Sequence, residues 1–319
     1  MKKIRIACWS VGQHAIKNIL PAINNCDNLI LHGIFTRNRT VAFQQSADYC
    51  CINYDSHEML LNDEKTNAVY ISSPTGVHYE QILQCINAGK SVLVEKSAFT
   101  SLKEAQELVE KAEANGVLIM EAFMYRFHDQ FTAIQDLINN KKYGDIKKVD
   151  IEFGFPHLKQ SDIRYSKALE GGALFDAGAY TLSAARNLMG DDINVEWSKI
   201  ISEKSYEVDT CGHAALTSGA IVLNCTWAFG ANYRNQIRIW TSKFDIFCDR
   251  AFSKQSDYLA KLVVKQNGDI MKEIQIKPNN HFIKMLTYFA DIVMTNNNIA
   301  EHSQVLQQAC IVDKVRALS

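Results

Sequence analysis

Residues suited to chemistry fall in four short segments of this chain. The first is IRIACWSVGQHAIKNILPAI, residues 4–23, where a strand pattern turns directly into a helix pattern. Its Ser10-x-Gly12-x-x-Ala15 fits the G-x-G-x-x-G/A template that wraps a pyrophosphate, with serine at the first glycine position. In that template the first position makes a tight turn, the second lets the phosphates approach, and the third needs a small side chain. Gly12 and Ala15 meet the last two needs, and Ser10 makes the turn if its φ is negative. A pattern so altered also fits an ordinary strand, loop and helix.

The second segment is Thr36-Arg37-Asn38-Arg39, at the exit of the next strand pattern. No acidic residue stands there to take a ribose 2′-hydroxyl. Arg37 can pair with a 2′-phosphate and Thr36 can hydrogen-bond it, so NADP is expected over NAD. The competing reading is a solvated basic turn. In the third segment, LVEKSAF, Glu95 and Lys96 end an apolar strand, where a charge pair is costly without a task. The lysine either enters a cleft, orienting a substrate hydroxyl and biasing nearby pKa values, or belongs to a surface ion pair. The fourth is EGGALFDAGAYTLSAARNLMG. Asp176 and Tyr180 are four residues apart and share a helix face, and Ala177, Gly178 and Ala179 between them let another body approach. A tyrosine packed with its hydroxyl satisfied would look the same.

Periodicity places these segments on a scaffold. Short apolar runs at 4–9, 29–35, 68–72, 91–94 and 117–121 alternate with helical patterns. Ser101-x-x-Glu104 makes a capping box, and Gly116 follows the helix that it opens. Such repeats imply a doubly wound parallel sheet, which binds ligands beyond the carboxyl ends of its strands. CWSVGQ, FTRNR, SSPTG, VEKS and EAFMYR all lie at those ends. After about residue 123 the pattern changes. A half-buried strand spans 149–155 and a helix 172–189. Strand patterns then follow at 198–202, 212–216, 220–228, 236–241, 245–248, 260–266 and 272–276, as in a largely antiparallel sheet. Helices over 281–295 and 303–318 close the chain. The fold class is α/β, with a dinucleotide-binding domain over 1–122 and a substrate-binding and oligomerisation domain over 123–319.

The 319 residues carry a net charge of -1, and no basic block points to nucleic acid. No apolar run approaches the ~20 residues of a membrane span. The start MKKIRIACWSVGQ lacks a signal-peptide cleavage site and reads as a first strand. Nine scattered cysteines without C-x-x-C fit reduced thiols of a cytoplasmic protein, and no clustered ligands indicate a metal.

Taken together these segments resemble the glucose–fructose oxidoreductase/inositol dehydrogenase (Gfo/Idh/MocA) family over nearly the whole chain. SVGQHA, FTRN, NAVYISSPTGVHYEQILQCINAGKSVLVEKS, EAFMYRFH, GDIKKVDIEFGF, GGALFDAGAY and DRAF run in the family's order. The resemblance implies an N-terminal Rossmann domain and a C-terminal α/β domain with an open, mostly antiparallel sheet. It implies hydride transfer between NAD(P) and a sugar, cyclitol or related carbonyl or alcohol. The family's E-K-P lysine maps to Lys96, with Ser97 in the place of the proline. Its D-x-G-x-H/Y segment maps to Asp176, Gly178 and Tyr180, which places the chain in the tyrosine branch. That branch includes dihydrodiol and xylose dehydrogenases and ketoreductases of nucleotide-linked deoxysugars.

On this resemblance Ser10, Gly12, Thr36, Arg37, Ser72, Pro74, His78, Glu95 and Lys96 are the expected cofactor-binding residues. Lys96, Tyr180 and Asp176 are the expected catalytic ones. Tyr180 exchanges a proton with the substrate oxygen, helped by the Lys96 cation, and Asp176 grips a substrate hydroxyl or holds Lys96. Arg126 is an expected substrate contact. The expected partner is a carbohydrate-like small molecule. An open sheet with one uncovered face also implies a homodimer or higher oligomer. A non-catalytic NADP-binding sensor or structural protein on the same fold is the alternative function.

Overall fold

The computed structural model of the chain describes residues 3–319. Two compact units form. One runs to Phe123 and includes Phe282–Ala309, and the other comprises Met124–His281 and Cys310–Ser319.

The first unit is built on β1 (Ile4–Trp9), β2 (Leu29–Phe35), β3 (Ile52–Asn53), β4 (Ala68–Ile71), β5 (Ser91–Val94) and β6 (Ile119–Glu121). All pairs are parallel, in the order β3-β2-β1-β4-β5-β6 of a doubly wound sheet. Every residue of β4 and β5 is buried, as expected where both faces are covered. The register explains why the polar segments share one edge. Phe35, Trp9, Ile71, Val94 and Glu121 lie in one row across the sheet. Each chain therefore leaves the sheet at the same level, and the next residues are Thr36, Ser10, Ser72, Glu95 and Ala122.

Local signals set the helices. Ser101 Oγ accepts from Glu104 N at 3.3 Å, and Glu104 reaches back to Thr100 N at 2.9 Å, forming the expected cap. Gly116, at φ +64, ends that helix in the left-handed conformation that favours glycine. Helices Arg39–Asp48 and His57–Asn62 have no counterpart in the sequence pattern. The first buries only Ala42 and Ser46, so periodicity is too weak to reveal it, and its visible signal is the Asn38 cap, which accepts from Val41 N at 3.2 Å.

The second unit carries a mixed sheet of β7 (Ile146–Phe155), β8 (Asn194–Ile201), β9 (Cys211–Ser218), β10 (Ile221–Phe229), β11 (Arg234–Thr241), β12 (Asp245–Asp249), β13 (Ala260–Gln266) and β14 (Asp269–Ile276). Their order is β14-β13-β12-β11-β7-β10-β9-β8, and only β7 and β10 pair in parallel. Along β7, Val149, Ile151 and Phe153 point to the core while Lys148, Asp150 and Glu152 do not.

Helix Ala179–Met189, opened by a wide turn over Leu174–Gly178, lies against this sheet and is buried at nearly every position. Trp227 of β10 determines how close it comes. A Cβ on Gly178 would fall 2.9 Å from the indole, and one on Gly212 of β9 would fall 2.4 Å from it. The ring thus fills the space that side chains at both glycines would need. Gly212→Ala is expected to destabilise the protein by ~1–3 kcal/mol through overpacking. A urea denaturation midpoint equal to that of the parent would contradict this.

Candidate active site

In the first unit the site residues gather where the strands end. Ser10 N donates to Phe35 O at 2.8 Å, extending the β1–β2 ladder by one bond. Ser72 Oγ donates to Ser10 O at 3.2 Å, and the Ser10 and Ser73 hydroxyls share a 2.9 Å hydrogen bond. The ends of β1, β2 and β4 are therefore tied together through Ser10. Its φ is +68. That corrects the sequence-based condition of a negative φ, because the tight turn keeps the left-handed geometry of the glycine it replaces. The cost for a side chain there is ~1–2 kcal/mol, partly offset by net hydrogen-bond contributions of ~1 kcal/mol each. Gly12 is exposed, with no atom within 4 Å of where a Cβ would stand, and Ala15, which opens the first helical segment (Ala15–Ile19, continued by Leu20–Asn24), is fully buried.

The two arginines after β2 differ. Arg39 donates to Tyr54 O at 2.8 Å and pairs with Asp55 at 2.7 Å. Arg37 is exposed and, among the described residues, its side chain makes no hydrogen bond or ion pair. Thr36 beside it is buried.

Pro74 opens the short turn Thr75–Val77 after β4, and His78 begins the next helix. His78 is 1% exposed, with Nε2 2.8 Å from Ser73 O and Nδ1 2.9 Å from Ser97 O. A neutral ring donates to one of these carbonyls and only a protonated ring to both. Burial, the largest influence, pushes the pKa down against the pull of both carbonyls and Glu95. His78 therefore lies between the loop after β4 and the loop after β5, and as a neutral ring it donates to one of the two carbonyls. The Lys96–Ser97 peptide is cis, and Ala98 N donates to the buried Glu121 at 2.9 Å. His78 and Glu121 thus hold the segment where the proline is replaced by Ser97. Glu95 accepts from Tyr70 OH at 2.7 Å and lies 3.5 Å from His14 Nε2. Lys96 is partly buried.

In the second unit Asp176 Oδ2 accepts from Arg164 Nε at 2.8 Å, and Arg164 also reaches Asp162 at 3.1 Å. Two carboxylates, Asp176 first, hold the Arg164 pKa above its ordinary value. Tyr180 is 6% exposed, and its hydroxyl donates to Met124 Sδ at 3.4 Å, a weak acceptor. Phe153 and Phe252 each pack 5.4 Å from its ring, with Tyr125 at 6.1 Å. Tyr125 OH is bonded to Ser183 Oγ at 2.8 Å, and burial pushes its pKa up to about 12. Arg126 places its guanidinium 5.5 Å from the Phe127 ring.

The structure thus joins Ser10 to Ser72, and His78 to the segment beside Lys96, in one unit. It sets Asp176 and Tyr180 on one helix in the other. Glu121, Arg164 and Trp227 were not singled out from the sequence. Glu121 carried the same signal as Glu95, an acid ending an apolar strand. Arg164 stands in a polar loop with nothing local to mark it.

Residues 5–123 match the family described as an oxidoreductase family with an NAD-binding Rossmann fold, and residues 131–247 match the GFO/IDH/MocA C-terminal domain. The chain is 26% identical to a dTDP-3,4-didehydro-2,6-dideoxy-alpha-D-glucose 3-reductase of Saccharopolyspora spinosa, over 98% of this chain and 97% of that one. It is 30% identical to a D-xylose 1-dehydrogenase (NADP(+)) of Haloferax volcanii, over 76% and 74% of the two chains. A 3-ketoreductase from Actinomadura kijaniata, solved with NADP and TDP-benzene, superposes with a TM-score of 0.95 at 26% identity, covering 99% and 98%.

Ser10→Gly is expected to raise the denaturation midpoint, because glycine takes the +68 φ without a Cβ clash and loses only the Ser73 bond. Ser10→Val, β-branched and without a hydroxyl, is expected to lower stability by ~1–3 kcal/mol. The opposite ranking in thermal denaturation would show that the turn relaxes.

Proposed function

The chain belongs to the GFO/IDH/MocA oxidoreductase family, and from that premise we propose an NADP(H)-dependent reductase of the keto group of a nucleotide-linked sugar. The observation that carries this reading is Tyr180, a phenol held in an aromatic cage four residues after an ion-paired Asp176. Whole-length likeness to the dTDP-sugar 3-reductase and to the NADP- and TDP-benzene-bound ketoreductase supports the substrate class.

The strand-end loops suit NADP. Open space at Gly12 admits phosphates to the start of the first helix, where free amides favour anions. Arg37 is available for a 2′-phosphate because Arg39 is taken up by Asp55, and Thr36 adds a hydroxyl. Ser72, Pro74 and Glu95 line the same edge, and His78 positions its loops. When bound, the nicotinamide supplies or accepts the hydride. Lys96 orients the reacting oxygen and lends positive charge, which lowers the work of drawing a proton from a phenol of ordinary pKa ~10. Tyr180 delivers that proton to the oxygen, or removes it in the reverse direction. Asp176 takes a neighbouring substrate hydroxyl while Arg164 holds its carboxylate in place, and Arg126 contacts the substrate. A sensor would need NADP but not this acid–base set.

Among the described residues no helix is long and apolar enough to cross a membrane. All nine cysteines are free, which supports a reducing, cytoplasmic setting. The outer face of the second sheet carries Trp240, Lys148, Val222 and Thr217 side by side in one row, with Trp240 61% exposed. This face supports a homodimer. Trp240→Glu is expected to convert a dimer into a monomer in gel filtration with light scattering, and a monomeric parent would refute the assembly.

The test of function is NADPH consumption with a dTDP-linked 3-keto sugar. Tyr180→Phe and Lys96→Ala should each lose about 10²-fold or more in kcat. Arg37→Ala should weaken NADPH binding in a fluorescence titration without changing NADH binding. Full turnover in both catalytic variants would overturn the mechanism. NADPH binding without turnover by the parent, across keto sugars, would favour the sensor.

A further inference from the structure

The helix that carries Asp176 and Tyr180 starts inside the protein, so its first amides need acceptors from elsewhere in the chain. They find them on one residue. Ala173 N donates to Asp209 O at 2.9 Å, and Leu174 N donates to Asp209 Oδ2 at 2.7 Å. Asp209 comes from the segment between β8 and β9, 35 residues on from Leu174. The chain also makes room for it. Gly172, at φ +121, has no side chain, and a Cβ there would fall 2.2 Å from Asp209 Oδ1. Gly172 N in turn donates to Arg164 O at 2.8 Å, and Arg164 is the residue whose side chain grips Asp176. One turn of chain, 172–174, therefore links Asp209, Arg164 and the helix start.

We propose that Asp209 is a positioning residue for catalysis, fixing the start of the helix so that Asp176 and Tyr180 hold their productive rotation and height. It acts through the helix and touches no reacting atom. A carboxylate suits the place because it complements the positive end of the helix as well as accepting its amides. The opening turn, Leu174–Gly178, is a π turn, wider than the α-helix that follows. The Asp209 contacts to Ala173 and Leu174 hold that turn from its buried end.

The proposal rests on the catalytic assignment of Tyr180, and two measurements separate the failure of either. Amide hydrogen exchange of the intact chain reads the hold directly. Asp209→Ala should speed exchange over 174–180 while β7 and β10 stay protected. Asp209→Asn, whose amide oxygen still accepts from Leu174 N, should restore protection. Unchanged protection in the alanine variant overturns the proposal whatever the kinetics show. Exchange that rises uniformly through the second unit also overturns it, because Asp209 would then support only the fold.

Steady-state turnover with NADPH and a dTDP-linked 3-keto sugar reads the consequence. Asp209→Ala should lower kcat about tenfold to a hundredfold, the scale of a small misplacement. NADPH affinity should stay within about twofold and Asp209→Asn should recover most of the rate. In a Tyr180→Phe background the alanine change should cost less than it does in the parent, because part of its effect acts through the phenol and only the Asp176 part remains. Independent, multiplicative losses would show that Asp209 does not work through Tyr180. If Tyr180→Phe is itself fully active, the catalytic assignment fails, and the proposal falls with it even where the exchange pattern holds.

Discussion

The seating of one indole between two glycines sets where Asp176 and Tyr180 stand in the second unit. Trp227 projects from β10 into the space left by Gly178 and Gly212. Packing at interior density leaves no slack, so the helix can lie neither nearer to the sheet nor at another rotation. Tyr180, half a turn beyond Gly178, then falls against Phe153 and Phe252, and Asp176 falls within reach of Arg164. A side chain at either glycine would lift the helix and carry both functional groups with it.

The first unit solves a different problem. Parallel strands that end level release several polar segments at one edge, and where these are buried their polar groups must find partners. Hydrogen bonds do this: Ser10 with Ser72 and Ser73, His78 with a loop carbonyl, Glu121 with Ala98 N. The two departures from the family pattern both lie within this lacing. Ser10 takes the conformation of the missing glycine because β2 and β4 bind it on both sides. Ser97 stands in for a proline in a segment where His78 faces the carbonyl, and Glu121 bonds the amide, of the single Ser97–Ala98 peptide. At Ser10 the strain of the left-handed turn is thus met by its hydrogen bonds to neighbours.

Much of this was legible in the chain. The strands β1, β2, β4 and β5 announced themselves as short apolar runs between turn residues. The Ser101–Glu104 cap and Gly116 marked a helix at both ends, and the D-x-G-x-Y spacing placed Asp176 and Tyr180 on one face. These are short-range properties, carried by periodicity and by side chains that bond their own backbone. Helix Arg39–Asp48 was hidden because it buries almost nothing and so has little pattern to show.

The sequence by itself determined the doubly wound sheet, the edge at which its polar segments collect, and the residue types available for binding NADP and moving a proton. Only the tertiary structure decided which of two neighbouring arginines is available, that Ser10 is left-handed, that His78 spans two loops, and that Arg164 and Asp209 brace the helix of Tyr180. Each of those depends on a partner far along the chain, such as Asp55 for Arg39, Ser97 for His78 and Leu174 for Asp209. No local pattern encodes such a partner, because the distance between them exists only once the sheets have closed and the helices have been packed.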